Sequence, residues 1–321
     1  MLRADYALAV NEVKLWDVPE PADGLTQEVL DGVAVGPADG PEVPLMADNG
    51  IMRQLQTVGC FLPILALLAA VFPAAGADAP VLERIIKSNT MRVGMTLDQP
   101  PLNAEDSSGE EIGLDVDLAR LLALAFDVKL KIVEKEFNEL LPALKKGEVD
   151  MVISGVGITP ERAVEVTFVG PYVLSGKSLL TKSTLIASAV EIEDLEDEEL
   201  KIAVLRDSTS ESFARKRLPL AKLVEVGNYG EGVTLVRQDK VDALLADMPV
   251  CVISALRYED EGLKTLEQPL SLEPIGIAIA DGDPKLRMLL QNYLNAIEDN
   301  GVLEILKEKW FEDSSWVDHL P

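Results

Sequence analysis

The sequence contains 321 residues and carries a formal net charge of −26, which is enough length for two domains with hydrophobic cores. Nucleic acids and anionic membrane surfaces both select for basic patches, so the acidic composition argues against either partner. One histidine and two cysteines disfavour a zinc site and a Ser-His or Cys-His catalytic pair, and we expect no metal, no cofactor and no catalytic residue.

Residues 52–77 have the pattern of a secretory signal peptide. Arg53 supplies a positive start, an apolar stretch runs from about Val58 to Val71, and small residues around Ala75 form a cleavage site. The apolar stretch is short for a membrane span, although an uncleaved anchor is the alternative. We therefore expect a periplasmic protein with no membrane insertion once the signal peptide is removed.

Residues 1–51 lie upstream of that signal and are acidic and rich in Pro, Gly and Ala. One hypothesis is that translation begins at Met52 and that this segment is not made. The other is a disordered leader, which such a composition permits.

The remainder of the chain alternates apolar runs with amphipathic stretches. In order, strands are predicted at 91–95, 128–134 and 150–154, with helices at 113–126 and 137–148 between them. A second unit has strands at 201–205, 222–226 and 241–246 and helices at 208–218 and 230–240. A strand at 275–283 and helices at 284–299 and 302–311 follow. The β-α-β-α-β order predicts parallel sheets covered by helices, an α/β fold.

Several of these stretches, in this order, resemble the periplasmic solute-binding proteins of ABC transporters, in the amino-acid-binding family (bacterial solute-binding protein family 3). They are Arg92-Val93-Gly94, Pro100-Pro101, GLDVDLA, LLPALKKGEVDMVISGVGITPER, FVGPYVLSG, VDALLAD and DNGVLEILKEKWF. The resemblance covers about 88–312. It implies a two-lobed type II fold, the Venus flytrap, with a two-stranded hinge and a ligand that favours lobe closure. Lobe one would comprise 80–183 plus 275–321, and lobe two 184–274.

The segment 154–162 has the features of a carboxylate site. Ser154 ends a predicted strand at the carboxyl edge of the sheet, where open α/β folds bind ligands. Gly155 and Gly157 allow backbone groups to approach a ligand closely. Arg162 carries a planar fork that fits a carboxylate, which is either the ligand's or that of Glu165. The resemblance implies that Arg162 holds the α-carboxylate of a ligand.

Thr159 is predicted to cap a short helix that begins at Pro160, since Pro suits the first helical turn. Asp247 ends an apolar strand, where it either caps the following helix or, as the resemblance implies, receives a ligand ammonium. Ser208 and Thr209 open a helix and would add hydroxyl and N–H groups for the carboxylate.

Phe137 matches a position where the family stacks an aromatic ring on the ligand, although a core role competes. Two positions depart from the family. Gln99 stands where an aromatic residue is usual, and Gly157 stands where a Ser or Thr hydroxyl is common. Both departures put the identity of the ligand in doubt.

The resemblance implies a monomeric protein that captures a polar amino acid or related zwitterion and delivers it to the membrane permease of an ABC transporter. It implies no enzyme activity. The alternatives are a dehydratase like cyclohexadienyl dehydratase, with Asp207 or Glu211 as general acid, and a ligand-sensing module.

The first prediction concerns the N-terminus. If translation starts at Met52 and the signal peptide is cleaved, the native protein begins near Asp78. Mass spectrometry of the protein isolated from its natural source would show this. Any peptide from 1–51 in the mature protein would contradict the hypothesis.

Overall fold

The computed structural model of the chain describes residues 81–190, 192–195 and 198–321. The predicted signal peptide at 52–77 and the segment 1–51 lie outside these ranges. Within them, every helix is too short or too polar to cross a lipid bilayer.

The chain forms alternating helices and strands. The helices are α1 Val81–Ser88, α2 Leu114–Ala125, α3 Phe137–Lys145, α4 Pro160–Ala163, α5 Thr184–Ala187, α6 Thr209–Arg217, α7 Tyr229–Arg237, α8 Met248–Arg257, α9 Pro284–Asp299 and α10 Val302–Lys307. The strands are β1 Thr90–Met95, β2 Asp98–Gln99, β3 Asn103–Glu105, β4 Glu111–Ile112, β5 Lys129–Glu134, β6 Met151–Val152, β7 Thr167–Ser175, β8 Lys177–Thr181, β9 Lys201–Leu205, β10 Lys222–Val226, β11 Ala243–Asp247, β12 Lys264–Thr265 and β13 Glu273–Ile279.

Lobe one is built on a five-stranded sheet in the order β5-β1-β6-β13-β7, and a small sheet β2-β3-β4 lies beside it. β1 runs parallel to β5 and β6, while β13 pairs antiparallel with β6 and β7. Met91, Val93 and Met151 in these strands are fully buried under the helices. Continuous apolar strands therefore mark a sheet that is covered on both faces, as the sequence predicted.

Lobe two has its own five-stranded sheet, in the order β10-β9-β11-β8-β12. β9 runs parallel to β10 and β11, and β8 is antiparallel to β11. Two hydrophobic clusters cover its two faces. The predicted α/β, two-lobed fold is confirmed.

The chain crosses between the two sheets twice. The first crossing falls between β7 and β8, at Gly176, and the second lies between β12 and β13. The predicted boundary at 183/184 was therefore too late, because β8 pairs with β11 in lobe two. An apolar run that continues through a crossing gives no sequence signal of the change of sheet.

The C-terminal segment contacts both lobes. Trp316 and Val317 are buried in the hydrophobic cluster of lobe one, together with Ile253 from α8 of lobe two. The Arg257 guanidinium of α8 also donates to the Leu320 carbonyl. Ser107 donates its backbone N–H to the His319 carbonyl at 2.8 Å. The single histidine thus lies in a packed tail of the fold.

A buried carboxyl fixes the strand end that faces lobe two. Asp115, at the start of α2, accepts hydrogen bonds from the Tyr172 hydroxyl (2.7 Å), the Asn103 side chain (2.8 Å) and the Gly155 N–H (3.0 Å). Burial raises the pKa of Asp115 from its ordinary value of 3.8 to about 6, although the three hydrogen bonds oppose the rise. Asp115 therefore holds the loop after β6 through the Gly155 N–H, while its burial disfavours the ionised carboxylate.

The second prediction follows from this pKa. Folding favours the protonated form of Asp115, so its contribution to stability is present below about pH 4 and is lost as pH rises through about 6. The loss amounts to about 3 kcal/mol. Asp115→Asn keeps the shape, since its amide oxygen accepts from Asn103 and Gly155 while its NH2 donates to Tyr172. We expect the free energy of unfolding of the wild type minus that of Asp115→Asn to fall by about this amount from pH 4 to pH 7.

Urea unfolding of both proteins across this range measures the difference, in which the other carboxyl groups cancel. A difference that does not change with pH would contradict the assignment. Asp115→Ala serves as the comparison that removes all three hydrogen bonds, and we expect it to be less stable than Asp115→Asn at every pH.

Candidate functional site

The loop after β6 is held by lobe one itself. Ser154 is buried, and its hydroxyl accepts a hydrogen bond from the Thr96 N–H at 3.1 Å. Gly155 has φ +59°, and a Cβ there would run into the Gln99 side chain, so glycine is required. Gln99 is likewise buried. These three predicted site residues therefore lie together; Ser154 and Gly155 are hydrogen-bonded within lobe one, whereas the buried side-chain oxygen of Gln99 accepts no hydrogen bond from the described residues.

Arg162 extends from the short helix α4 toward lobe two. Its N–H donates to the Thr159 hydroxyl at 3.2 Å, which confirms the predicted cap. Its guanidinium donates to the Gly157 carbonyl at 3.0 Å and, across the cleft, to the Asp207 carbonyl at 3.2 Å. The Phe137 ring lies under the guanidinium, 5.6 Å from ring centroid to Cζ. Phe137 thus contacts the predicted carboxylate-binding arginine rather than serving the core alone.

The alternative partner of Arg162 is engaged elsewhere. Glu165 accepts from the Lys145 ammonium at 2.6 Å. Burial lowers the pKa of Arg162, and the carboxylates of Glu273 and then Asp247 oppose this most strongly. The guanidinium therefore lies in the field of two acidic groups, and its two bonds to backbone carbonyls use only two of its five N–H donors.

Lys177 is a site residue that the sequence reasoning missed. Its side chain is almost fully buried, and its ammonium contacts Glu273 Oε2 (2.6 Å), Asp247 Oδ1 (2.7 Å) and Thr209 Oγ1 (2.7 Å). We call these four residues the Lys177 cluster. Burial alone would lower the pKa of Lys177, but the two carboxylates raise it above its ordinary value, so the ammonium stays charged. The available signal was a lysine inside the apolar run at the start of β8.

Asp247 lies where the strand pattern predicted, at the end of β11 and directly opposite Lys177 in the sheet register. It occupies the cap position of α8 but makes no side-chain cap hydrogen bond. Its Oδ1 accepts from Lys177 at 2.7 Å, and its Oδ2 accepts from the Tyr229 hydroxyl at 3.3 Å. The capping alternative is therefore not what the structure shows, and Asp247 belongs to the buried ionic network.

Glu273, at the start of β13, was also missed, and it explains one departure from the family pattern. Its carboxylate lies against Gly157, so a Cβ at Gly157 would overlap Oε1. The Glu273 carboxylate therefore occupies the space that a Ser or Thr side chain at 157 would need. The two positions are separated by more than a hundred residues, so no local pattern links them.

The start of α6 completes the cluster. Ser208 donates its hydroxyl to the Leu205 carbonyl at 2.6 Å and accepts from the Glu211 N–H at 3.1 Å, which confirms the predicted cap. Thr209 is the residue of this pair whose hydroxyl faces the cleft, where it accepts from Lys177.

A second contact joins the lobes at the mouth of the site. The Asp98 carboxylate of lobe one accepts from the Tyr229 N–H of lobe two at 2.9 Å. Burial raises the pKa of Asp98. With the bond from Arg162 to Asp207, this contact shows the two lobes closed on each other. The interface encloses two cations, Arg162 and Lys177, and the carboxylates of the Lys177 cluster.

The sequence profile of the bacterial extracellular solute-binding proteins, family 3, matches residues 91–313. Among curated relatives, the glutamine-binding protein of an ABC transporter from Bacillus subtilis is 29% identical over 210 residues, covering 64% of this chain and 75% of the relative. Cyclohexadienyl dehydratase from Pseudomonas aeruginosa is 26% identical over 261 residues, covering 80% and 94%.

Two solved structures are similar to this one. An ancestral amino acid-binding protein, described as a precursor of cyclohexadienyl dehydratase, is 36% identical with a TM-score of 0.66, covering 73% of this chain and 100% of the other. The binding component of an ABC transporter from Wolinella succinogenes, described as putative and complexed with lysine, is 35% identical with a TM-score of 0.69, covering 72% and 99%.

The third prediction tests the contact between Gly157 and Glu273. Gly157→Ser should destabilise the protein by about 1–3 kcal/mol, because the new side chain overlaps a buried carboxylate. In a Glu273→Ala background, the same substitution should cost much less, because the space is empty. Urea unfolding of the four proteins in this double-mutant cycle measures the coupling. Equal costs in both backgrounds would contradict the contact.

Proposed function

The chain belongs to the bacterial extracellular solute-binding proteins, family 3, and we propose that it captures a polar amino acid between its lobes and delivers it to the permease of an ABC transporter. The observation that carries the proposal is the placement of opposite charges in one closed cleft. The Arg162 guanidinium of lobe one donates to the Gly157 carbonyl, beside the Glu273 carboxylate, and to the Asp207 carbonyl of lobe two. Asp247 of lobe two pairs with Lys177 next to Glu273. A zwitterion would offer its carboxylate to Arg162 and its ammonium to these acidic groups.

The cleft also carries charges of both signs. Arg162 and Lys177 are its cations, and Asp247, Glu273 and the buried Asp98 carboxyl are its acidic groups. These groups suit a ligand that bears both an ammonium and a carboxylate. The relatives include a glutamine-binding protein and a lysine-bound protein, and these support amino acids as the ligand class.

The proposed ligand contacts extend the predictions from sequence. Arg162 binds the carboxylate, with Thr209 and the N-terminus of α6 nearby, and Phe137 stacks beside the ligand. Ser154, Gly155, Gly157 and Gln99 shape the wall of lobe one. Binding draws the lobes together because the ligand contacts both, so the closed form is favoured by ligand. We place the protein in the periplasm as a monomer, without nucleic-acid partners.

A dehydratase is the second candidate, since a relative at 26% identity has that activity by name. The sequence suggested Asp207 or Glu211 as its general acid. Glu211 is engaged, because its Oε2 accepts from the Asp207 N–H and its Oε1 from Arg215, both at 2.8 Å. Both oxygens of Glu211 thus accept from protein donors, which disfavours this residue as the general acid, and we favour binding without turnover because most of the named relatives are binding proteins.

The fourth prediction is calorimetric. The protein, unfolded and refolded to strip carried-over ligand, should bind one of the common amino acids with a dissociation constant of about 1 μM, or about −8 kcal/mol. Arg162→Ala removes hydrogen bonds to the ligand carboxylate, and Asp247→Ala leaves Lys177 without one of its two carboxylate partners, so each should weaken binding by at least about tenfold. Lys145→Ala removes a cation that pairs with Glu165 outside the cleft, and we expect it to leave affinity unchanged.

Prephenate and arogenate serve as the contrasting titrants. Steady turnover of either compound, without saturable binding of any amino acid, would contradict the proposed function and favour the dehydratase.

A further inference from the structure

The carboxylate that the sequence assigns to the ligand ammonium is already satisfied by the protein. Asp247 Oδ1 accepts from the Lys177 ammonium at 2.7 Å, and Oδ2 accepts from the Tyr229 hydroxyl at 3.3 Å. Lys177 in turn spends its three N–H donors on Asp247, Glu273 and Thr209. Both oxygens of Asp247 thus already accept from protein donors, so a ligand ammonium there would have to compete with Lys177 or Tyr229 for the same oxygen.

Glu273, unlike Asp247, has a carboxylate oxygen that accepts no hydrogen bond from the described residues. Its Oε2 contacts Lys177 at 2.6 Å, but its Oε1 is buried and has no hydrogen-bond partner in the described residues. A buried carboxylate oxygen without a donor is costly, because the hydrogen bonds it made to water are not replaced. A donor that arrives with the ligand would remove that cost.

The free oxygen also lies on the same side as Arg162. Glu273 Oε1 lies against the Cα of Gly157, and the Arg162 guanidinium donates to the carbonyl of that same residue. Burial lowers the pKa of Arg162, and the Glu273 carboxylate opposes this more strongly than the Asp247 carboxylate does. The α-carboxylate and α-ammonium of an amino acid are themselves only a few bonds apart, so a short span between their partners is required.

We infer that Glu273, rather than Asp247, receives the α-ammonium of the ligand. Lys177 holds Asp247 and at the same time fixes the orientation of Glu273 by binding its other oxygen. Asp247 then acts as a positioning residue in lobe two, and the hinge strand β13 carries the ligand contact. The inference rests on the proposed function and assigns the ammonium contact within it.

The experiment compares each amino acid with an analogue that lacks only the α-amino group. The three pairs are L-glutamine with glutaramate, L-lysine with 6-aminohexanoate, and L-arginine with 5-guanidinopentanoate. The ratio of the two affinities within a pair reports the contribution of the α-ammonium. Because both ligands are measured on the same protein, a general loss of folded protein cancels from the ratio.

Two isosteric variants separate the carboxylates. In Glu273→Gln, the amide oxygen is held by Lys177, so the NH2 replaces Oε1 and presents donors to the ligand ammonium. In Asp247→Asn, the amide oxygen also keeps Lys177, and the NH2 faces the Tyr229 hydroxyl, which can accept. Both variants remove one negative charge, and each serves as the control for the other.

We expect Glu273→Gln to weaken binding of the amino acid by about 10- to 100-fold while the desamino analogue changes by less than about threefold. Asp247→Asn should leave the ratio close to that of the wild type. If Gln at 273 prevents folding, Glu273→Asp draws the carboxylate back by one methylene, and the ratio should fall in the same direction.

The inference is overturned if Asp247→Asn abolishes the discrimination and Glu273→Gln does not, or if both abolish it equally. It is also overturned if the wild type binds an amino acid and its analogue equally well. In these cases the proposed function stands. If the wild type binds no amino acid at all, the proposed function itself fails, and that outcome is distinct from the others.

Discussion

The buried ammonium of Lys177 is the interaction on which the rest of the site depends. It joins β8, β11, β13 and α6, because its three contacts lie at Asp247, Glu273 and Thr209. Removing three charged groups from water is expensive, and it is tolerated only when each charge finds its partner. The segments that supply these partners must therefore meet at one point. The end of β11 in lobe two accordingly lies next to the start of β13 at the second crossing.

In the proposed function, the Lys177 cluster contributes to the selectivity of the cleft. Opposite charges in a poorly hydrated interface interact more strongly than they would in water. A solute that bridges Arg162 in lobe one and the carboxylates beside Lys177 stabilises the closed form only if it bears both charges at the right spacing. Because Glu273 begins β13 at the second crossing, a ligand ammonium bound there as inferred above would contact the hinge as well as the faces of the lobes.

The sequence alone predicted the elements whose formation depends on residues close together in the chain. The helix predicted at 284–299 matches α9, because Asp283 caps it, Pro284 opens it and Leu286, Leu290 and Leu294 recur on its buried face. The end of β11 at Asp247 and the cap at Thr159 were predicted from sequence in the same way. Lys177 and Glu273 were not predicted, because each is recognised as a site residue only through ionic partners that lie far away in the sequence. The crossing at Gly176 was misplaced for the same reason, because only strand pairing reveals it.

The C-terminal segment adds a third connection between lobes that are otherwise joined by two crossing strands. Trp316 and Val317 share an apolar cluster with Ile253, and Leu320 accepts from Arg257. Separation of the lobes has to carry these residues along or expose their apolar surface to water. We therefore expect the segment to act as a latch that favours the closed form. Strengthening the contacts of this latch would raise the affinity for the ligand without changing any ligand contact, because a larger fraction of the free protein would already be closed.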